Sequence, residues 1–146
     1  MKKILFVLSV MLGGCATTSD SSYTNTMDVI AAAAAAAPQG VPGNYTFFVK
    51  AIGHSHPFFY LNTEEDYRDQ RDITIVLPEP LLIQMGFKNT PAVEQYFLHK
   101  RIKVSGVAKR EKIVFSHDGK PSSKYYYQTH ILIEQPEQLS VEDIQG

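Results

Sequence analysis

The chain is expected to be mainly β, a single five-stranded barrel with a helix between its third and fourth strands. Three observations predict this. Short runs rich in Val, Ile, Thr, Phe and Tyr recur between turn signals. Residues 102–109 alternate in period two: Ile102, Val104, Gly106 and Ala108 point one way, and Lys103, Ser105, Val107 and Lys109 the other. The period changes once inside the domain, over residues 81–99. The 146 residues suit one domain plus accessory segments, and a 44% hydrophobic content with eight Tyr and eight Phe is enough to bury one core.

Taken in order, strand one is expected over residues 45–52, rich in aromatic and β-branched side chains. Gly53, His54, Ser55, His56 and Pro57 form a turn, and residues 58–62 are strand two. Residues 63–72 are a polar loop holding five acids (Glu64, Glu65, Asp66, Asp69, Asp72) and two arginines (Arg68, Arg71), expected to be solvated surface. Residues 73–77 are strand three, ended by Pro78 and Pro80. Leu61, Ile73 and Ile75 are expected inside. Leu81, Leu82 and Met85 make one helical turn that stops at Gly86. A helix follows over residues 90–99, with Thr90 as cap, Pro91 at its first position and Val93, Phe97 and Tyr96 inward.

Strand four covers residues 102–109 and continues through 113–115, with Gly106 expected as a bulge or bend. Asp118-Gly119 marks a hairpin turn within residues 117–123. Strand five is residues 125–134, followed by an exit segment. Strand, strand, strand, helix, strand, strand, with a Gly-bent fourth strand, is the pattern of an OB-type Greek-key barrel.

The segment before the domain has its own logic. Met1-Lys2-Lys3 is a basic start, residues 4–12 are apolar except for Ser9, and Leu12-Gly13-Gly14-Cys15 follows. This is a secretory signal layout, too short to span a membrane as a helix. The four residues ending at Cys15, the only cysteine, resemble the lipobox of bacterial lipoproteins. That resemblance implies residues 1–14 as a cleaved signal peptide, with diacylglycerol on the Cys15 thiol and an acyl chain on its amine. Three acyl chains would anchor the chain durably. Ala16, where that family's inner-membrane proteins carry Asp, implies the outer membrane, facing the periplasm.

Residues 15–43 are then a lipidated tether. Residues 31–37 are all alanine and Pro38 follows, so residues 26–37 are either a docked helix or a low-complexity spacer. The domain is expected over 44–141, with a loose tail over 142–146. Net charge is −1 for the whole chain, and loss of Lys2 and Lys3 makes the mature chain more acidic at −3. Such a balance supplies no general attraction to nucleic acid or anionic membrane.

Tyr60-Leu61-Asn62, Ile73-Thr74-Ile75-Val76, residues 101–106 and residues 133–139 resemble the OB-fold group of staphylococcal-nuclease-like domains and their non-catalytic relatives, over residues 45–141. The resemblance implies the barrel. The acids and arginines those nucleases gather around calcium and phosphate have no matching register here, so it implies no nuclease chemistry.

Other chemistry is sparse. His54 and His56 are two apart and would share a face on a strand, the spacing for one zinc with a third ligand from His130 or an acid. A polar loop before Pro57 is the competing reading, and no metal site is assigned. No HExxH, nucleophile elbow or phosphate-cradling loop occurs, and no cofactor is expected beyond the lipid on Cys15. The candidate binding surface is basic: Lys100, Arg101, Lys103, Lys109, Arg110 and Lys112 on or beside strand four, with Tyr126 on strand five. The expected role is a non-enzymatic binding or interaction module of the cell envelope, with a protein partner. The alternative is an OB domain that binds nucleic acid or another polyanion through the basic strand-four face; a metal-dependent hydrolase ranks third.

Overall fold

A computed structural model describes residues 22–142. Cys15 and its lipobox, the signal peptide, and residues 143–146 of the expected tail lie outside the described residues.

The structure is mainly β. A helix, α1 (Thr26–Ala35), comes first, then β1 (Val41–Phe48), β2 (Ala51–Ser55), β3 (Phe58–Asn62) and β4 (Ile73–Pro78). Two helices follow, α2 (Glu79–Gln84) and α3 (Thr90–Phe97). The chain then forms β5 (Arg101–His117), β6 (Lys120–Leu132), a 3-10 turn (Pro136–Gln138) and β7 (Leu139–Glu142).

One sheet holds all seven strands in the order β1-β5-β6-β4-β3-β2, with β7 off this path against β5. Only β4 and β6 run parallel. The expected five strands therefore become seven, and the path of bonded neighbours is open. Two causes account for the count. Expected strand one divides at Val49 and Lys50, where the backbone changes partner: Val49 N–H donates to Lys100 O, and Lys50 N–H to Asn62 O. The expected exit segment also ends in a strand, pairing Leu139 with Val104 and Glu142 with Arg101.

The core is where alternation places it. Leu61, Ile73, Ile75, Ile102, Ala108, Ile131 and Ile133 are fully buried, and Leu82, Val93 and Phe97 close it from α2 and α3, whereas Tyr96, expected inward, lies exposed with its ring against Phe87 and Phe97. Gly106 is no bulge, since its pairing with Gly43 is in register. It is a close approach: a Cβ there would stand 2.8 Å from Ile131 Cγ2. The one irregularity of the β5–β6 pairing lies between Val114 and Ser116. Beyond Arg110 and Thr129, where β4 stops pairing with β6, these strands continue as a two-stranded ribbon, closed at Asp118 (φ 50°) and Gly119 (φ 73°). Positive φ at both central residues matches the twist of a tight hairpin, which favours Asp-Gly.

Several caps and boundaries differ from expectation. Asn25 caps α1, its Oδ1 accepting from Met27 N at 2.9 Å and Asp28 N at 3.3 Å. Asn89 rather than Thr90 caps α3, accepting from Ala92 N at 3.0 Å. The first strand starts at Val41, and Gly53 to Ser55 belong to β2, so only His56 and Pro57 turn. The alanine run is a docked helix. Val29 and Ala33, one turn apart, are buried in the core, and α1 packs on β5 and β1. Thr24 continues the docking, since its N–H donates to Thr46 O and its Oγ1 accepts from Thr46 N, both at 2.8 Å.

Candidate binding groove

Period-two alternation builds a broad hollow on the outer face of the sheet. In β3, Phe59 and Leu61 go inward, which turns Tyr60 and Asn62 to the opposite face. Register then sets rows across the sheet: Asn62 opposite Thr74, Thr74 beside His130, and His130 opposite Lys109. Along β6, Tyr126, Gln128 and His130 share this face. The result is a groove of about 810 Å³ over β2, β3, β4 and β6, walled by Tyr67 and Arg68 of the loop and by Ile113 to Ser116 of the ribbon. Its size suits a small-molecule or oligomer cleft.

Its side chains are held by one another. His130 Nε2 lies 2.6 Å from Gln128 Oε1, and Gln128 Nε2 donates to Tyr126 Oη at 2.6 Å and to Tyr67 O at 3.3 Å. Because the Gln128 nitrogen also faces the Tyr67 carbonyl, which only accepts, the amide oxygen is the atom turned to His130, and His130 Nε2 carries the proton. Burial lowers the His130 pKa, against a smaller opposing pull from Glu111, so the ring stays neutral with Nδ1 as an acceptor. Burial raises the Tyr126 pKa, which keeps its own O–H as a donor. The chain thus ends in one donor and one acceptor. Phe115, 47% exposed, packs on Tyr126 with ring centroids 5.2 Å apart.

Below the groove the loop is tied to the sheet by Asp72. Asp72 Oδ1 accepts from Glu64 N at 2.9 Å, and its Oδ2 from Thr74 Oγ1 at 2.9 Å. Burial pushes its carboxyl up to about 6 despite these bonds. Of the acids expected on the surface, Asp72 is therefore the exception, at 4% exposure. Three of the other four acids are paired. Asp66 grips Arg68 through both oxygens at 3.0 Å, Asp69 grips Arg71 in the same way, and Glu64 pairs with Lys50 at 2.8 Å.

The expected basic surface is divided. Arg101 is mostly covered, paired with Glu142 and lying over the Tyr23 ring at 4.5 Å. Lys103 joins the same carboxylate at 2.6 Å, and this pairing holds the Glu142 pKa down. Lys109 lies on the groove face beside Glu111, along a furrow of about 390 Å³. Arg110 and Lys112 point to the other face of the ribbon, over Tyr127 (4.3 Å) and Tyr125 (4.2 Å). Lys100 is exposed just before β5. Of the seven expected residues, the groove takes in Tyr126 alone, with Lys109 beside it.

His54 and His56 converge on a residue that sequence reading did not supply. His54 Nε2 lies 2.6 Å from Glu79 Oε1, and His56 Nδ1 2.7 Å from Glu79 Oε2. His54 also stacks on Phe59, with centroids 4.1 Å apart. These bonds, His54 first, lower the Glu79 pKa. Both histidines bond the one carboxylate, and no His, Cys, Asp and Glu cluster suited to a metal ion occurs among the described residues.

Sequence reading missed Asn62, Thr74, Gln128 and His130 as groove residues. A signal was present: Tyr126, Gln128 and His130 form a polar period-two series, the outward half of a strand whose other half includes Ile131. No protein-family model matches the chain, and no curated protein matches it.

Proposed function

We propose that the chain is a lipid-anchored, non-enzymatic binding module of the bacterial cell envelope, held on the periplasmic side of the outer membrane through Cys15. The groove over β3, β4 and β6 is its working surface. The observation that carries the binding role is the Tyr126–Gln128–His130 chain, which fixes a donor and an acceptor in an open, aromatic-walled groove. Gln128 holds the His130 ring by its amide oxygen, an arrangement that positions the ring for a ligand.

The domain itself is an OB-type barrel. Counting β1 and β2 as one bent strand, split where Val49 and Lys50 change partner, gives five principal strands. The first then touches both the second and the fourth, and the parallel β4–β6 pair joins the third to the fifth. Helices α2 and α3 fall between the third and fourth. In OB folds the face of the second and third strands binds oligomers, which agrees with the position of the groove.

The test uses the full chain in cells. Wild type should incorporate labelled palmitate and sediment with outer membrane, and Cys15→Ser should do neither. Retention on isolated envelopes should fall in Tyr60→Ala with Tyr126→Phe. Acyl label on Cys15→Ser, or unchanged retention in the groove variant, contradicts the proposal.

A further inference from the structure

We infer that the open edge of β6, at the side of the groove, takes up an extended acidic segment of an envelope protein as an added strand. The inference names the partner for the binding role above and rests on it. It starts from the backbone. Ile133, the residue after β6, donates its N–H to Val76 O of β4 at 3.0 Å. Backbone groups alternate sides along a strand, so the odd-numbered residues of β6 aim N–H and C=O toward the β4 side and the even-numbered ones toward β5. β4 begins at Ile73, beside Thr129. Tyr125 and Tyr127 therefore present their donors and acceptors beyond the end of β4, with no strand beside them among the described residues. Nearer the tip, Pro121, Lys124 and the irregularity opposite Phe115 blunt this edge. The open stretch is residues 125–128.

There is room for a strand on both faces of that edge. One side is the groove. The other is a second hollow of about 670 Å³, between Met27 and Ile30 of α1 and the rings of Tyr125 and Tyr127. Arg68, Phe115 and Tyr126 line both hollows, so the two meet at the edge. An added strand would send alternate side chains into each, the arrangement by which strand addition gains specificity. Charge selects the kind of segment. No Asp or Glu lines either hollow. Arg110, over the Tyr127 ring, and Lys120 and Lys124 of β6 pair with no carboxylate among the described residues. An acidic segment complements them. A second copy of this edge would set Arg110 and Lys124 against their own counterparts, and a nucleic-acid strand has no ladder of N–H and C=O groups to offer.

The experiment gives the full chain, purified in detergent, three octapeptides that alternate valine with glutamate, with serine or with lysine. Oligothymidylate serves as a polyanion without a peptide backbone. Heat and amide hydrogen exchange are the readouts. The valine–glutamate peptide should bind about tenfold more tightly than the valine–serine one, with the gap closing at high salt, and the valine–lysine peptide should bind least. On binding, exchange at the Tyr125 and Tyr127 amides should slow by about tenfold or more, while Tyr126 and Gln128, directed at β5, should not change. Tyr127→Pro removes an N–H that only the added strand would use and should abolish binding. Tyr127→Phe keeps it and should bind like wild type. The exchange pattern decides the matter even where Tyr127→Pro does not fold. Three results overturn the inference: no peptide bound by folded protein, binding that leaves the Tyr125 and Tyr127 amides unchanged, or tighter binding of oligothymidylate than of any peptide. Self-association that slows the same amides without peptide makes a second copy the occupant and overturns it too. Envelope retention that needs Tyr60 and Tyr126, without peptide binding, overturns the added strand and leaves the binding role standing.

Discussion

Thr74 Oγ1 stands 2.9 Å from Asp72 Oδ2 and 2.9 Å from Asn62 Oδ1, so one hydroxyl proton faces two acceptors. When Asp72 is ionised one of them lacks a donor, and the site is buried. This shortage works with desolvation to favour the protonated acid, in line with its raised pKa.

A raised carboxyl pKa sets the sign of a pH effect. Between 3.8, the ordinary value, and about 6, the folded chain binds more protons than the unfolded one, so this residue's contribution falls as pH rises. The penalty is complete above that window and absent below it. Asp72→Asn keeps the acceptor for Glu64 N and supplies an amide donor to Thr74, freeing the hydroxyl for Asn62. It should stabilise the domain near neutral pH by up to about 3 kcal/mol, and hardly at all below 3.8. Urea midpoints at both pH values check this.

The Glu79 clamp has the opposite sign. Its pKa is lowered in the fold, so its contribution is complete above 4.5 and lost as pH falls through the depressed value. Glu79→Gln should lower the melting temperature near neutral pH, and the difference from wild type should shrink in acid. A difference that grows in acid would contradict the clamp.

Docking of α1 can be read from two neighbouring alanines. Ala33 is fully buried and Ala32 is exposed. Ala33→Leu should cost about 1–3 kcal/mol through overpacking, and Ala32→Leu should be nearly neutral. Equal melting temperatures for the two variants would return this segment to a spacer.

The interior was legible because its signal is local. Alternation places Leu61, Ile73 and Ile75 inside and sets Ile102 and Val104 on one shared side, and Asp118-Gly119 announces its own turn. What was hidden depends on neighbours distant in sequence. The split at Val49 reflects a change of partner from Lys100 to Asn62, which no local pattern encodes. The clamp needs Glu79, 23 residues after His56. The basic run on β5 looked like one surface because its residues are close in sequence, yet alternation sends Lys109 to one face and Arg110 to the other. Glu142, read as a loose end, is the partner that takes Arg101 and Lys103 out of play.

Which face of the ribbon meets a partner is decided most directly by photocrosslinking in intact cells, with a photoreactive residue at Ile113 in the groove wall or at Lys112 on the opposite face. Crosslinks to envelope material from position 113, and few or none from position 112, are the expected result. Crosslinks from position 112 alone would contradict the groove as the working surface.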